Sequence, residues 1–298
     1  MAQSDKTLPI SAIDSCMAIL SIIRLMNFQC GKHALVLDRP HIMGIVNVTP
    51  DSFSDGGRYA RVDLALAHAL QLIADGADIL DVGGESTRPG AEPVSLEEEL
   101  NRVIPLISAL AKVVNVPISI DTYKPEVMRQ AIAAGAAMVN DVQALRMPGA
   151  LEVVANSNVG VCLMHMQGEP KTMQIAPHYH DVVAEVQQFL SERLNAVTAA
   201  GVAMDRIVLD PGFGFGKSRA HNIALLKNLT PLTQLGAPLL VGLSRKSILA
   251  AMTGDEAAQR LPASIAAAVI SVMKGAKILR VHDVKATAEA FKVWAAIQ

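Results

Sequence analysis

The chain has 298 residues, of which 51% are hydrophobic, and its formal net charge at pH 7 is −2. This composition suffices for a sizeable core, and the balance of acidic and basic residues gives no electrostatic sign of nucleic-acid or anionic-membrane binding. The longest apolar stretch, residues 103–120, is interrupted by prolines and a lysine, so no transmembrane helix is expected. The three cysteines lack metal-ligand spacing and are odd in number, which favours a reducing cytoplasm.

The amino-terminal segment does not fit the pattern of the rest of the chain. Its apolar run at residues 16–23 resembles the core of a signal peptide, but only Lys6 precedes the run, and Asp5 and Asp14 offset that charge. We therefore predict a poorly ordered extension over residues 1–30 and one folded domain over residues 31–298.

Short aliphatic runs recur along the folded part, and nearly every run ends in polar or charged residues. They lie at residues 42–46, 79–80, 118–120, 138–139, 161–164, 207–209, 239–243 and 278–279. Helical periodicity separates them: Val62, Leu66, Leu70 and Ile73, for example, share one stripe. Ser95 begins a capping box that opens a helix running toward residue 113. Further helices are predicted at residues 125–134, 149–155, 182–199, 223–229, 264–273 and 284–294.

This alternation of strands and helices predicts an α/β protein with parallel strands and right-handed crossovers. A doubly wound sheet and a closed barrel both satisfy it. Eight strand–helix pairs within about 255 residues match a (β/α)8 barrel, and no linker rich in Pro, Gly or Ser divides the chain. We predict a single (β/α)8 TIM barrel, whose polar strand ends would meet at one mouth.

The polar loops after the first two strands carry a specific pattern. Residues 43–57 and 81–90 resemble the corresponding loops of the bacterial dihydropteroate synthase family, and the resemblance covers roughly residues 35–298. It continues through residues 119–122, 140–142, 163–166, 210–217, 242–247 and 280–284.

The resemblance implies a transferase of folate biosynthesis. That family joins 6-hydroxymethyl-7,8-dihydropterin diphosphate to p-aminobenzoate and releases pyrophosphate, with Mg2+ as cofactor. Its members are usually dimers through the late helices. The expected partners are therefore small-molecule substrates and a second copy of the chain, without nucleic acid or membrane.

A pterin presents an amino group and a ring N–H along one edge, which ionised carboxylates suit because they only accept hydrogen bonds. The resemblance assigns that edge to Asp121 and Asp210, which end the third and sixth predicted strands. Either residue alone could equally be a turn or helix-cap aspartate. The rest of the implied pterin pocket comprises Asn140, Lys246, Met164, Phe215 and Arg280.

Expelling an anionic leaving group requires positive charge and metal more than a proton donor. By resemblance, Arg280 meets both the pterin face and phosphate, His282 binds a phosphate oxygen, and Asn47 holds Mg2+ and pyrophosphate together with Arg88. Alone, Asn47 could be a turn residue and His282 a buried structural histidine. The implied catalytic set is Arg280, His282, Lys246, Arg88 and Asp51.

The second substrate is an aromatic amine that is largely unprotonated near neutrality, so no strong general base is required. Ser247 at the start of a helix offers its hydroxyl and backbone N–H groups to the p-aminobenzoate carboxylate. Thr87, Arg88, Pro89 and Phe53 resemble the family residues that shape this pocket, where sulfonamides compete. A dissociative displacement is favoured, and a concerted one stays open.

Two alternative functions stay open: a methyltetrahydrofolate–corrinoid methyltransferase, whose barrel is similar, and a pterin-binding protein without turnover. The long loops at residues 49–57 and 85–90 disfavour the methyltransferase. Residues 211–218 miss the P-loop pattern only at Pro211, which replaces its first glycine. We interpret that segment as part of the pterin site and not as a nucleotide loop.

Overall fold

The computed structural model describes residues 26–48, 58–86, 92–168, 172–254 and 260–297. Most of the predicted extension, residues 1–25, lies outside these ranges. The same applies to five of the predicted site residues: Asp51, Phe53, Thr87, Arg88 and Pro89.

Eight strands form a closed parallel barrel in which each strand pairs with the next one along the chain and the last pairs with the first. They are β3 (His41–Asn47), β4 (Ile79–Gly83), β5 (Ile118–Asp121), β6 (Met138–Asp141), β7 (Gly160–Met164), β8 (Ile207–Asp210), β9 (Leu239–Val241) and β10 (Ala276–Val281). Each strand matches a predicted aliphatic run, and the predicted (β/α)8 barrel is confirmed.

Helices follow the barrel strands and form the outer layer. They are α1 (Arg58–Ala74), α2 (Leu96–Val113), α3 (Pro125–Ala134), α4 (Ala150–Ala155), α5 (Val182–Ala199), α6 (Arg219–Lys227), α7 (Ser247–Thr253), α8 (Leu261–Met273) and α9 (Val284–Ala295). Ser95 caps α2, because its Oγ accepts from the backbone N–H of Glu98 at 3.2 Å, but of the predicted capping box only this half is seen, since the Glu98 carboxylate accepts from Arg102 Nε at 2.8 Å. α6 begins earlier than predicted because Ser218 and His221 form a capping box in front of it.

An antiparallel hairpin precedes the barrel, formed by β1 (Asn27–Cys30) and β2 (His33–Val36). Phe28 and Cys30 of β1 are fully buried and pack with Met43 and Met138 of the barrel interior. Gly160, the first residue of β7, lies against this hairpin, since a Cβ there would come within 2.5 Å of the Phe28 ring. The hairpin therefore closes the amino-terminal end of the barrel. The folded domain begins no later than Asn27, within the predicted extension.

The main core lies between the strands and the helices that surround them, and it consists almost entirely of aliphatic side chains. Burial of these chains provides the dominant stabilisation of the barrel. Within the described ranges, no helix is long and apolar enough to cross a membrane.

Candidate active site

The barrel registers bring the polar strand ends together at the carboxyl-terminal face. Asn47, Gly83 and Asp121 lie in one row across β3, β4 and β5, and Asn140 of β6 continues that row. A Cβ on Gly83 would lie 3.7 Å from Asp121 Oδ2 and 3.8 Å from Asn47 Oδ1. Because glycine has no side chain, the Asn47 amide and the Asp121 carboxylate face a common space.

Arg280 lies at the centre of the mouth and joins two carboxylates. Its Nε donates to Asp81 Oδ2 at 2.6 Å, and its Nη2 donates to Asp121 Oδ2 at 2.7 Å. Asn140 Nδ2 donates to the same Asp81 oxygen at 3.1 Å. Although burial opposes the charge, the two carboxylates raise the pKa of the Arg280 guanidinium, so this group is a permanent cation. The structure thus brings together three predicted residues, Arg280, Asp121 and Asn140.

Asp81 is a functional candidate that the sequence did not single out from the other strand-end acids. Its side chain is 0% exposed, and it orients both Arg280 and Asn140. The available signal was its place directly after the aliphatic run at residues 79–80; in the structure it is the third residue of β4 and pairs with Ser119, two residues before the Gly83–Asp121 pair. Asp81 therefore supports the predicted pterin and phosphate residues from below.

Asp210 and Lys246 form a second part of the mouth. Asp210 Oδ1 accepts from the backbone N–H of Gly212 at 2.7 Å, and burial raises the pKa of its carboxyl group while Lys246 opposes that rise. Lys246 donates to the carbonyl oxygen of Phe213, and its Nζ lies 4.5 Å from the centroid of the Phe215 ring. Burial lowers the pKa of Lys246 to about 8.

The apolar predictions lie next to this polar group. Met164 ends β7 beside Asp210 in the register, and it shares a buried cluster with Val142, Met166 and Met173. The half-buried Phe215 packs against the same cluster. Both predicted ring contacts, Met164 and Phe215, therefore lie at one apolar wall of the mouth.

His282 follows β10 and is oriented by Ser244, a residue of the matching segment 242–247 to which the sequence analysis assigned no role. The Oγ of Ser244 lies 3.1 Å from both the backbone nitrogen and Nδ1 of His282. Ser247 is exposed at the first position of α7, one residue after Lys246. Arg280, His282, Lys246 and Ser247 therefore approach the mouth from the ends of two adjacent strands.

Lys124, which is not among the predicted site residues, binds the residues on both sides of the long loop that follows β4. Lys124 Nζ donates to Glu85, to Glu99 at 2.5 Å and to the carbonyl oxygen of Val94 at 2.8 Å. Glu85 precedes the segment with the predicted p-aminobenzoate residues, and Val94 and Glu99 follow it. One cation therefore fixes both ends of that segment.

For the pterin substrate that the family resemblance implies, the ionisation of Asp121 and Lys246 predicts a pH optimum in kcat/KM. Burial raises the pKa of Asp121 to about 7, although Arg280 opposes the rise, whereas burial lowers the pKa of Lys246 to about 8. Asp121 must be ionised for both of its oxygens to act only as acceptors, and Lys246 must be protonated to carry charge. We expect kcat/KM to rise as the pH passes about 7 and to fall above about 8.

The measurement is kcat/KM for the pterin substrate across this pH range, and Asp121→Asn serves as the matched variant. The asparagine cannot ionise, so its profile should lack the acidic limb. A wild-type profile that stays flat from about pH 6 to about pH 9 would contradict the assignment.

Comparison with known proteins identifies the class to which this fold and mouth belong. Residues 43–282 match the model of the family described as pterin binding enzyme. The match includes every barrel strand except the first two residues of β3, and it places the chain among the pterin binding enzymes.

Individual relatives narrow this class. The dihydropteroate synthase of Neisseria meningitidis serogroup B (strain MC58) is 55% identical over 277 residues, which are 91% of this chain and 97% of the relative. A structure of Xanthomonas albilineans dihydropteroate synthase with 4-aminobenzoic acid has a TM-score of 0.87 and 56% identity, covering 92% of this chain and 98% of that chain. Another structure of that enzyme, in complex with 7,8-dihydropteroate, has a TM-score of 0.83 and 53% identity, covering 91% and 98%. The chain belongs to the dihydropteroate synthase family.

Proposed function

We propose that this protein is the enzyme that joins 6-hydroxymethyl-7,8-dihydropterin diphosphate to p-aminobenzoate, giving 7,8-dihydropteroate and pyrophosphate. The observation that carries this function is the Arg280 guanidinium held between Asp81 and Asp121 in the barrel mouth. It combines acceptors for a heterocycle with a cation for a leaving anion. Relatives solved with 4-aminobenzoic acid and with 7,8-dihydropteroate support the same substrates here.

The pterin edge is recognised by oxygen acceptors from three strands. In our proposal the carboxylates of Asp121 and Asp210 accept from the exocyclic amino group and the ring N–H, while Asn140 both donates and accepts. Lys246 donates to the ring carbonyl oxygen. The apolar wall formed by Met164 and Phe215 excludes water from the ring. The hydrogen bonds to the pterin are stronger there because the local dielectric constant is lower.

Chemistry takes place at the exocyclic methylene carbon. The bond from this carbon to the diphosphate oxygen breaks, and its electron pair leaves with pyrophosphate. The electron-rich dihydropterin delocalises the positive charge that develops on the carbon. The amine lone pair of p-aminobenzoate then forms the new C–N bond, and the nitrogen releases a proton. Arg280 and His282 stabilise the departing anion, since fixed cations and donors act where charge develops.

Asn47 is the proposed protein ligand for Mg2+. Magnesium usually takes only one or two protein oxygens and fills its shell with waters and substrate phosphates, so a single amide oxygen at the rim fits. Among the described residues, no group of three or more His, Cys, Asp or Glu side chains could hold a metal. When bound, the ion would neutralise negative charge on the diphosphate.

Ser247 is the proposed partner of the p-aminobenzoate carboxylate. Its exposed hydroxyl lies at the start of α7, next to Lys246, so an amine bound there would approach the pterin from one side of the mouth. Thr87, Arg88, Pro89 and Phe53 complete this pocket in the proposal, which rests for them on the resemblance alone.

Replacing Asp121 with alanine should weaken pterin binding by about 1.5–3 kcal/mol, the scale of a hydrogen bond to a charged group. Calorimetric titration with the pterin diphosphate measures this change. Asp205→Ala is the matched control, because Asp205 precedes β8 at the opposite end of the barrel and should leave affinity unaltered. Unchanged affinity in Asp121→Ala would remove this residue from the pocket.

Turnover of the purified protein tests the function directly. Incubation with the pterin diphosphate, p-aminobenzoate and Mg2+ should yield 7,8-dihydropteroate and one equivalent of pyrophosphate. Binding of the pterin without product would instead indicate a pterin-binding protein. Methyl transfer from methyltetrahydrofolate to a corrinoid, in place of this reaction, would indicate the methyltransferase.

We also propose that the protein works in the cytoplasm as a homodimer. Two buried cysteines, Cys30 and Cys162, are free, as a reducing compartment allows. The late helices expose Ile270, Met273 and Val293, apolar side chains that a second copy would cover. Sedimentation of the purified protein distinguishes one chain from two.

A further inference from the structure

The segment between β8 and α6 is built around one buried lysine. Lys217 is 3% exposed, and its Nζ lies 2.9 Å from the Gly212 carbonyl oxygen, 3.1 Å from that of Phe215 and 2.8 Å from His165 Nδ1. Within the part of the chain that the structure describes, none of its hydrogen-bond partners is a carboxylate. Burial of an ammonium group without an ion-pair partner is unfavourable. The presence of a lysine among several neutral acceptors therefore requires a reason.

The loop backbone adapts to this ammonium group. Gly212, Gly214 and Gly216 have φ values of +68°, +79° and +61°, which fold the chain so that carbonyl groups point inward. Two further side chains hold the loop from outside: Asn222 Oδ1 accepts from the backbone N–H of Gly214 at 2.8 Å, and the Tyr179 hydroxyl donates to the Gly216 carbonyl at 2.8 Å.

His165 contributes an acceptor because it is neutral. Burial and the nearby Lys217 charge lower the pKa of His165 to about 2, so its Nδ1 can take a hydrogen bond from the ammonium group. His165 directly follows β7, and its backbone N–H donates to the Asp210 carbonyl at 3.0 Å. Lys217 therefore links the ends of β7 and β8.

The same loop makes three contacts with the proposed pterin residues. The Gly212 N–H donates to Asp210, the Phe213 carbonyl accepts from Lys246, and the Phe215 ring lies against the Lys246 ammonium. A shift of this loop would therefore move the acceptor and the donor of the pocket together.

We propose that Lys217 is a positioning residue for the pterin site. Its ammonium group gathers the loop carbonyls, and the loop in turn sets the geometry of Asp210 and Lys246. Burial lowers the pKa of Lys217 well below its usual range, and the Asp210 carboxylate opposes that fall, so each of the two groups favours the charged form of the other. The inference rests on the proposed function. It also explains why Lys217, although it lies in a segment similar to a P-loop, is unavailable to phosphate.

The test compares Lys217→Met with Arg206→Met. Arg206 is the matched control, because it also donates to two backbone carbonyls, those of Val159 at 2.9 Å and Val154 at 3.0 Å, but precedes β8 at the opposite end of the barrel. KM for the pterin diphosphate and KM for p-aminobenzoate are measured, each with the other substrate saturating, together with the melting temperature.

We expect Lys217→Met to raise KM for the pterin diphosphate about 10-fold to 100-fold and to leave KM for p-aminobenzoate within about twofold. Arg206→Met should lower the melting temperature without changing either KM. Lys217→Gln, which keeps two N–H donors without charge, repeats the comparison in milder form if the methionine variant does not fold.

Equal changes in both KM values, or a loss of stability alone as in the control, would overturn the proposal. Wild-type protein in the same assay separates the two levels of inference. An inactive wild type refutes the proposed function, whereas an active wild type with kinetically normal Lys217 variants refutes only the role of this lysine.

Discussion

Arg280→Met is expected to lower kcat/KM about 10²-fold to 10³-fold, the usual loss when a group that stabilises developing charge is removed. The substitution also leaves Asp81 and Asp121 buried without their shared cation. Breaking such a buried pair from one side destabilises proteins by about 3–5 kcal/mol. Steady-state kinetics and urea unfolding measure the two effects separately.

Arg39→Met is the matched control for this experiment. Arg39 also binds a carboxylate, that of Asp78, through two nitrogens. The Arg39 side chain, however, is 59% exposed and lies outside the mouth. Its loss should alter stability by no more than about 1 kcal/mol and leave turnover unchanged. If Arg280→Met matched this control in kinetics, the guanidinium would have no part in handling the leaving group.

Gly212→Ala should be the most damaging single-atom addition in the mouth. A Cβ at this residue would lie 1.9 Å from the backbone oxygen of His165, and the φ of +68° already disfavours any L side chain. We expect a loss of at least about 2 kcal/mol of stability, from backbone strain and overpacking together, and a large fall in pterin affinity because the loop must move.

Gly236→Ala is the matched control that separates backbone strain from steric overlap in the effect of Gly212→Ala. Gly236 has a φ of +87°, but nothing lies within 4 Å of a Cβ built there. Its substitution should destabilise by about 1 kcal/mol through strain alone and leave kinetics unchanged. Similar melting temperatures and KM values for the two alanine variants would show that Gly212 does not need its close approach to His165.

The barrel could be predicted from the sequence because the two patterns that indicate it, aliphatic runs and helical stripes, are local. Aliphatic runs and helical stripes repeat at short range, and parallel strands then deliver their polar ends to one face. For this reason Asp121, Asn140 and Arg280, which are far apart in the chain, could be predicted to meet. The predicted roles of the individual side chains depend on the family resemblance and stay predictions.

The features that escaped prediction depend on long-range contacts. Asp81 and Arg280 are 199 residues apart, and only the register of the closed barrel brings this particular acid of β4 under the guanidinium. Lys217 carried a misleading local signal, since its surroundings resemble a phosphate loop. The β1–β2 hairpin was missed because its four-residue strands are too short to show a period next to the apolar run before them.

The sharing of one guanidinium by two carboxylates limits how the enzyme can be redesigned. In the proposed mechanism, recognition of the heterocycle and release of the leaving anion depend on the same side chain, so we expect a variant selected for another bicyclic base to turn over more slowly as well. The proposal assigns the arylamine partner to residues of other segments. Alternative amines should therefore be the easier route to new products from this scaffold.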